Sequence, residues 1–175
     1  SRFEHWAQSH YAIEVIKSKG IEKVEYISDY LRLEFIHQAQ KVDISKKQEV
    51  IAYNPKKGLE FTQQIIQATA GTIQFIPIID MTIDEVKELL SVAKIYIDFG
   101  CHPGKDRIPR EAAMLGCCVV TGLEGSARFN EDLPIPIEYK FVRDASEVPN
   151  IVAKLRFILA NYESCKLNFT QYQEF

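Results

Sequence analysis

Between residues 49 and 162 short apolar runs alternate with amphipathic segments, and this constrains the fold more than any other feature of the chain. Glu49-Val50-Ile51-Ala52-Tyr53 reads as a buried strand stopped by the turn pair Asn54-Pro55. A helix is predicted from about Lys57 to Ala68, with Phe61, Ile65 and Ala68 on one face. Ile73-Gln74-Phe75-Ile76 is the next strand, closed by Pro77. Thr82 opens a helix whose capping box is completed by Glu85 three residues on. Lys94-Ile95-Tyr96-Ile97-Asp98-Phe99 is a strand ended by Gly100. A helix over about Pro109 to Leu115, stopped by Gly116, precedes the strand Cys117-Cys118-Val119-Val120-Thr121. Ile137-Glu138-Tyr139-Lys140-Phe141 is the last strand expected, and a helix over about Asn150 to Tyr162 follows it. Strands that are apolar throughout, separated by helices, belong to a parallel sheet buried on both faces. The expected fold is therefore a Rossmann-like α/β domain with helices on both faces. Such sheets bind ligands at the carboxyl ends of their strands.

Residues 1–45 read differently. A short strand is expected over Phe3 to Ala7, then a helix presenting Tyr11, Val15 and Ile16 and ending at Gly20, then a strand over Val24 to Ile27. Residues 37–48 are polar and read as a linker. The chain opens at Ser1 without an initiator Met, which suggests a processed or truncated product, and no signal peptide is visible.

Several function classes are disfavoured. A net charge of −3 gives no footprint for nucleic acid. No apolar stretch has the length of a membrane span. Cys101, Cys117, Cys118 and Cys165 lack metal-ligand spacing, so no metal site is expected, and free thiols fit a cytoplasmic protein.

Three segments at strand ends carry the polar chemistry. In Asn54-Pro55-Lys56-Lys57-Gly58, lysines stand at a helix start, where the dipole favours anions. A phosphate between the lysines and the free amides would reconcile the two, whereas a solvated loop would make the lysines incidental. His102-Pro103-Gly104-Lys105-Asp106-Arg107-Ile108-Pro109-Arg110-Glu111 supplies cations for an anionic ligand and, in Glu111, an acceptor for ribose hydroxyls. Gly122-Leu123-Glu124-Gly125-Ser126-Ala127 is a loop small enough for close backbone approach.

With these segments in place, residues 48–162 resemble the C-terminal donor domain of GT-B glycosyltransferases of the group 1 type. Val50 to Gly58 resembles that family's strand and Lys-Gly pair. Phe75-Ile76-Pro77-Ile78 resembles its next strand. Glu111-Ala112-Ala113-Met114-Leu115-Gly116-Cys117-Cys118-Val119-Val120-Thr121 resembles its Glu-Ala-Met-Ala-x-Gly-x-Pro-Val-Val run. The resemblance implies that Lys57 contacts the donor diphosphate, assisted by Arg107 or Lys105. It implies that Glu111 binds the ribose, and that Gly125, Ser126 and Ala127 give backbone donors to the phosphates. Arg107 and Glu111 are then the candidate catalytic residues. The family's further glutamate, eight residues before Glu111, is Pro103 here, and Asp98 and Asp106 are the candidates to stand in for it.

The domains implied are residues 1–45 as a remnant of an N-terminal domain, 46–162 as the nucleotide-sugar-binding domain and 163–175 as a tail. The function implied is transfer of a sugar from a nucleotide-sugar to a glycan, lipid or polysaccharide precursor, with no cofactor, in the cytoplasm or peripheral to a membrane. Sugar transfer is not expected of this chain alone, because the acceptor domain is missing. Leu167, Phe169, Tyr172 and Phe175, with Trp6 and Tyr11, suggest that the two termini pack together or form a homodimer. Two other readings compete. One is a non-catalytic nucleotide-binding module. The other is a receiver domain built on Asp98, Thr121 and Lys140, although Tyr53-Asn54-Pro55-Lys56 lacks the acidic residues that a receiver needs for magnesium.

Overall fold

The computed structural model describes residues 3–105 and 107–173. A five-stranded sheet forms its centre: β3 (Gln48–Tyr53), β4 (Gln74–Pro77), β5 (Ala93–Asp98), β6 (Cys118–Gly122) and β7 (Lys140–Phe141), in the spatial order β4-β3-β5-β6-β7. All four pairings are parallel. Ile51, Ala52, Ile95, Ile97, Val119 and Val120 are fully buried. That burial on both faces is why these strands are apolar throughout rather than alternating.

The helices divide between the two faces. On one, α3 (Leu59–Ala68) packs against α6 (Val148–Ala160). On the other, α4 (Ile83–Val92) and α5 (Arg107–Met114) pack together and against α2 (Leu33–Ala39). Thr82 and Glu85 form the expected capping box at the start of α4. At the end of α4 the Lys47 ammonium, buried 43 residues away in sequence, donates to the Leu90 and Ala93 carbonyls, both at 2.8 Å. These are carbonyls that a helix end leaves without partners.

Two expectations are corrected. Residues 37–48 are not simply a polar linker: α2 covers their start and Ile44–Lys46 is a 3-10 turn. Leu31, Phe35 and Ala39 recur every four residues, and Phe35 is 1% exposed in the main core. The last strand is shorter than its apolar run. Ile137–Tyr139 is a 3-10 turn, closed by the Tyr139 amide donating to the Pro136 carbonyl, and only Lys140 and Phe141 pair with β6.

The N-terminal segment forms a small parallel unit of β1 (His5–Ala7), α1 (His10–Lys17) and β2 (Val24–Tyr26). Asp132, from the far side of the sequence, caps α1 by accepting from the His10 and Tyr11 amides at 2.9 and 3.2 Å. At the other end α7 (Tyr162–Cys165) leads to α8 (Thr170–Gln173), which packs on α5. Phe169 and Tyr172 of this tail are buried in the main core, while Trp6 and Leu167 are exposed. Phe175 lies outside the described residues. Among the described residues no helix is long and apolar enough to cross a membrane.

Candidate functional site

The sheet order reverses between β3 and β5, since β4 lies on one side of β3 and β5 on the other. Loops leaving neighbouring strands in opposite directions open a crevice at the strand ends. Here the walls meet through glycines. Gly58 has φ +65, and a Cβ there would lie 2.5 Å from the Phe99 carbonyl carbon and closer still to its oxygen. A Cβ on Gly100 would run into Cβ of Lys57. Gly125, at φ +59, leaves no room for a Cβ beside the His102 carbonyl. A parallel bridge joins His102 to Gly125, the Ser126 amide donates to the His102 carbonyl at 2.8 Å, and the Ser126 hydroxyl donates to the Gly104 carbonyl at 2.9 Å. The three segments expected to act together therefore form one continuous rim.

On this rim a cleft of about 350 Å³ opens onto Glu111. Its cations are Arg32, Lys56 and Arg107, and its apolar wall includes Met81, Ile83, Val86 and Ile108. Glu111 is only 3% exposed, and among the described residues its Oε1 has no hydrogen-bond partner. Burial pushes the Glu111 carboxyl above the ordinary carboxylate range; Arg32, Arg107 and Arg110 pull it back, and Asp29 pushes it further up. A buried carboxylate oxygen without a donor costs free energy unless something supplies one. A ligand hydroxyl would do so.

A slightly larger cleft of about 400 Å³ lies at the opposite edge, between Lys47 and the start of α7. Its lysines are already engaged: Lys47 as described, and Lys94 with Glu49 and the Leu159 carbonyl. Another, of about 480 Å³, lies between residues 58–64 and Arg143, whose Nε is paired with Glu124 at 2.9 Å. Neither presents a buried unpartnered carboxylate.

The residues singled out from sequence are distributed as follows. Arg107 and Glu111 line the cleft together. Lys57 lies half-buried over the end of β5, and its neighbour Lys56 lines the cleft. The Lys105 ammonium lies 3.5 Å from the Tyr26 hydroxyl, towards the N-terminal unit. Gly125, Ser126 and Ala127 are buried and do not line the cleft; the Ser126 and Ala127 amides donate to the carbonyls of His102 and Glu124. Asp98 accepts from the Tyr96 hydroxyl at 2.9 Å and the Gly100 amide at 3.0 Å, with His102 Nε2 at 3.1 Å. Its carboxylate thus organises the strand end. Asp106 lies outside the described residues. The Pro103 carbonyl accepts from the Ser9 hydroxyl. Lys140 turns away to the Leu133 carbonyl at 2.7 Å, and burial lowers its ammonium to about 8.

Sequence reasoning missed two contributors and left a third unassigned. Arg32 lines the cleft and Asp29 holds Arg107 through an ion pair of 3.5 Å, while Lys56, one of the two lysines noted at the helix start, also lines the cleft. Arg32 and Asp29 belong to an irregular segment that carries no motif. Lys56 stood beside the lysine chosen.

No family model matches the chain, and no curated protein matches its sequence. Solved structures do match. HepE from Anabaena, in complex with UDP-glucose, superposes with a TM-score of 0.63 at 13% identity, over 96% of this chain and 57% of that one. HepE with UDP and glucose gives 0.60 at 13%, over 96% and 56%. Sucrose-phosphate synthase from Thermosynechococcus elongatus gives 0.65 at 12%, over 98% and 52%. The chain thus spans little more than half the length of each. Both are GT-B glycosyltransferases, and the fold of this chain is that of a Rossmann-like half of such a structure.

Proposed function

We propose that this chain is the nucleotide-sugar-binding part of a glycosyltransferase, and that the Glu111 cleft holds the donor. The observation that carries the reading is the unpartnered, buried Oε1 of Glu111 in a cleft that also presents cations and an apolar wall. A nucleoside diphosphate matches each part: ribose hydroxyls donate to Glu111, phosphates meet the cations, and the base lies against the apolar side. The solved relatives add weight, since HepE was captured with UDP-glucose and with UDP.

In transfer, the bond between the anomeric carbon and the diphosphate oxygen breaks, and its electron pair stays on the diphosphate. Fixed cations stabilise the charge that develops there. In this reading Arg107, which lines the cleft, takes that role, with Lys57 behind the rim. An acceptor hydroxyl forms the new bond and loses its proton. We assign the acceptor-side walls to a part of the protein beyond these residues, so that the chain alone binds donor without transferring sugar. The acceptor in this reading is a glycan, lipid or polysaccharide precursor, and the reaction is cytoplasmic.

Calorimetric titration with UDP, GDP and ADP, and with the matching nucleosides, tests the reading. At least one nucleoside diphosphate should bind. Lys57→Ala should weaken that diphosphate roughly tenfold, about 1.4 kcal/mol, while the nucleoside changes little. No binding of any of the three would refute the donor site. Equal losses for diphosphate and nucleoside would remove Lys57 from the phosphates.

A further inference from the structure

We infer that Arg32, with Lys56, takes the anionic oxygens of the bound donor, so that the segment entering the sheet domain is itself part of the binding site. The inference rests on the donor-site reading and adds residues to it. Four cations bear on this site: Arg32, Lys56, Arg107 and Arg110. Residue 29 occupies two of them, its carboxylate pairing with Arg107 at 3.5 Å and its carbonyl accepting from Arg110 at 3.0 Å. Among the described residues, no hydrogen bond or ion pair engages the Arg32 guanidinium or the Lys56 ammonium.

Arg32 stands at the N-cap position of α2, between Leu31 and Phe35, both buried. Those two anchors fix its backbone while its side chain faces the cleft. A guanidinium held half-buried without acceptors is an incomplete arrangement, as is a buried carboxylate oxygen without a donor. The two lie in one cleft, and Arg32 is the leading positive influence on Glu111. A ligand that brings hydroxyls to Glu111 and anionic oxygens to Arg32 completes both at once. A nucleoside carries only the hydroxyls, and a nucleoside diphosphate carries both. Planar guanidinium donors suit phosphate oxygens particularly well.

The test is calorimetry on Arg32→Ala and Arg32→Gln, using whichever of UDP, GDP or ADP the unmodified protein binds best, and its nucleoside. Both variants should stay folded at neutral pH, losing no hydrogen bond or ion pair among the described residues and only the charge interaction of Arg32 with Glu111. Each should bind the diphosphate roughly tenfold more weakly and the nucleoside within about twofold. The salt dependence of diphosphate binding should become shallower. Arg32→Lys should recover part of the affinity. Unchanged diphosphate affinity, or equal losses for diphosphate and nucleoside, would overturn the inference while leaving the donor site standing. Absence of nucleotide binding by the unmodified protein would instead overturn the donor site on which it rests.

Discussion

Gly58 and Gly71 bracket α3 and share a left-handed backbone, with φ +65 and +73, which makes them a matched pair for measuring how tightly the loops above the sheet are joined. Alanine at either site incurs the same conformational cost, roughly 1–2 kcal/mol for placing a Cβ in that region. Their surroundings differ. A Cβ on Gly71 would meet nothing within 4 Å. One on Gly58 would lie 2.5 Å from the Phe99 carbonyl carbon and 2.9 Å from the Gly100 nitrogen, where ordinary contact starts at 3.4 Å. These neighbours are backbone, so relief requires the two loops to part by roughly 1 Å, at a further ~1–3 kcal/mol. Gly71→Ala should therefore lose about 1–2 kcal/mol, and Gly58→Ala about 2–5 kcal/mol, a large share of the ~5–15 kcal/mol typical of a domain. Urea denaturation monitored by circular dichroism gives both numbers. Gly58→Ala should also weaken nucleoside diphosphate binding under conditions where it remains folded, since it shifts Lys56 and Lys57 against the Glu111 cleft. Equal stability losses in the two variants would refute the close apposition of these loops.

Glu111→Gln should raise the stability of the unliganded protein at pH 7 by roughly 1 kcal/mol while weakening both nucleoside and nucleoside diphosphate binding. Because the folded carboxyl titrates above its unfolded value of 4.5, ionising it costs more in the folded state, and stability falls as pH rises through the folded value. The advantage of the glutamine should accordingly vanish below about pH 4.5, and an advantage independent of pH would contradict the assignment to burial. For Lys140 the folded value of about 8 lies below the unfolded 10.5, so the unfolded chain binds more protons between them and stability gains with pH across that window. Lys140→Met should lack that part of the slope in denaturation curves taken from pH 7.5 to 10; identical slopes would show that the ammonium is not buried as described.

The elements most legible in the sequence were those whose signals are local. Val50 to Tyr53 and Ile95 to Ile97 announce strands because both faces are buried, and Thr82 with Glu85 marks a helix start by its own hydrogen bonds. The segment from Leu31 to Ala39 was harder, since the inward positions Leu31, Phe35 and Ala39, four residues apart, are mixed with Leu33, which is exposed, and with charged and polar neighbours. Counting that spacing would have found α2. At the site, the sequence brought Arg107 and Glu111 to the first turns of the helix that follows β5 and its loop, and both line one cleft. The Gly125 to Ala127 loop could not be resolved by sequence, because its amides serve equally well for a phosphate or a neighbouring carbonyl, and the choice depends on His102 arriving beside it. Arg32 lay beyond sequence reasoning for a similar reason: its place beside Glu111 depends on a fold that brings residues far apart in sequence into one cleft.

The attachment of the β1-α1-β2 unit sets it apart from the sheet domain. Of residues 3–31, only Ala7 and Leu31 are buried apolar side chains. Apart from the Tyr11 ring against Phe129 and Arg128, the attachment is largely ionic or polar: His10 with Asp132 at 3.0 Å, Arg128 with Glu14 at 2.9 Å, Arg107 with Asp29, and the Ser9 hydroxyl on Pro103. The exposed ion pairs among these weaken as ions crowd the solvent, whereas the apolar core beneath the sheet does not depend on them. Trp6, the single tryptophan of the chain, lies in this unit and is 61% exposed. With so little apolar burial beneath it, the seating of residues 3–31 should loosen as salt rises while the sheet domain stays folded.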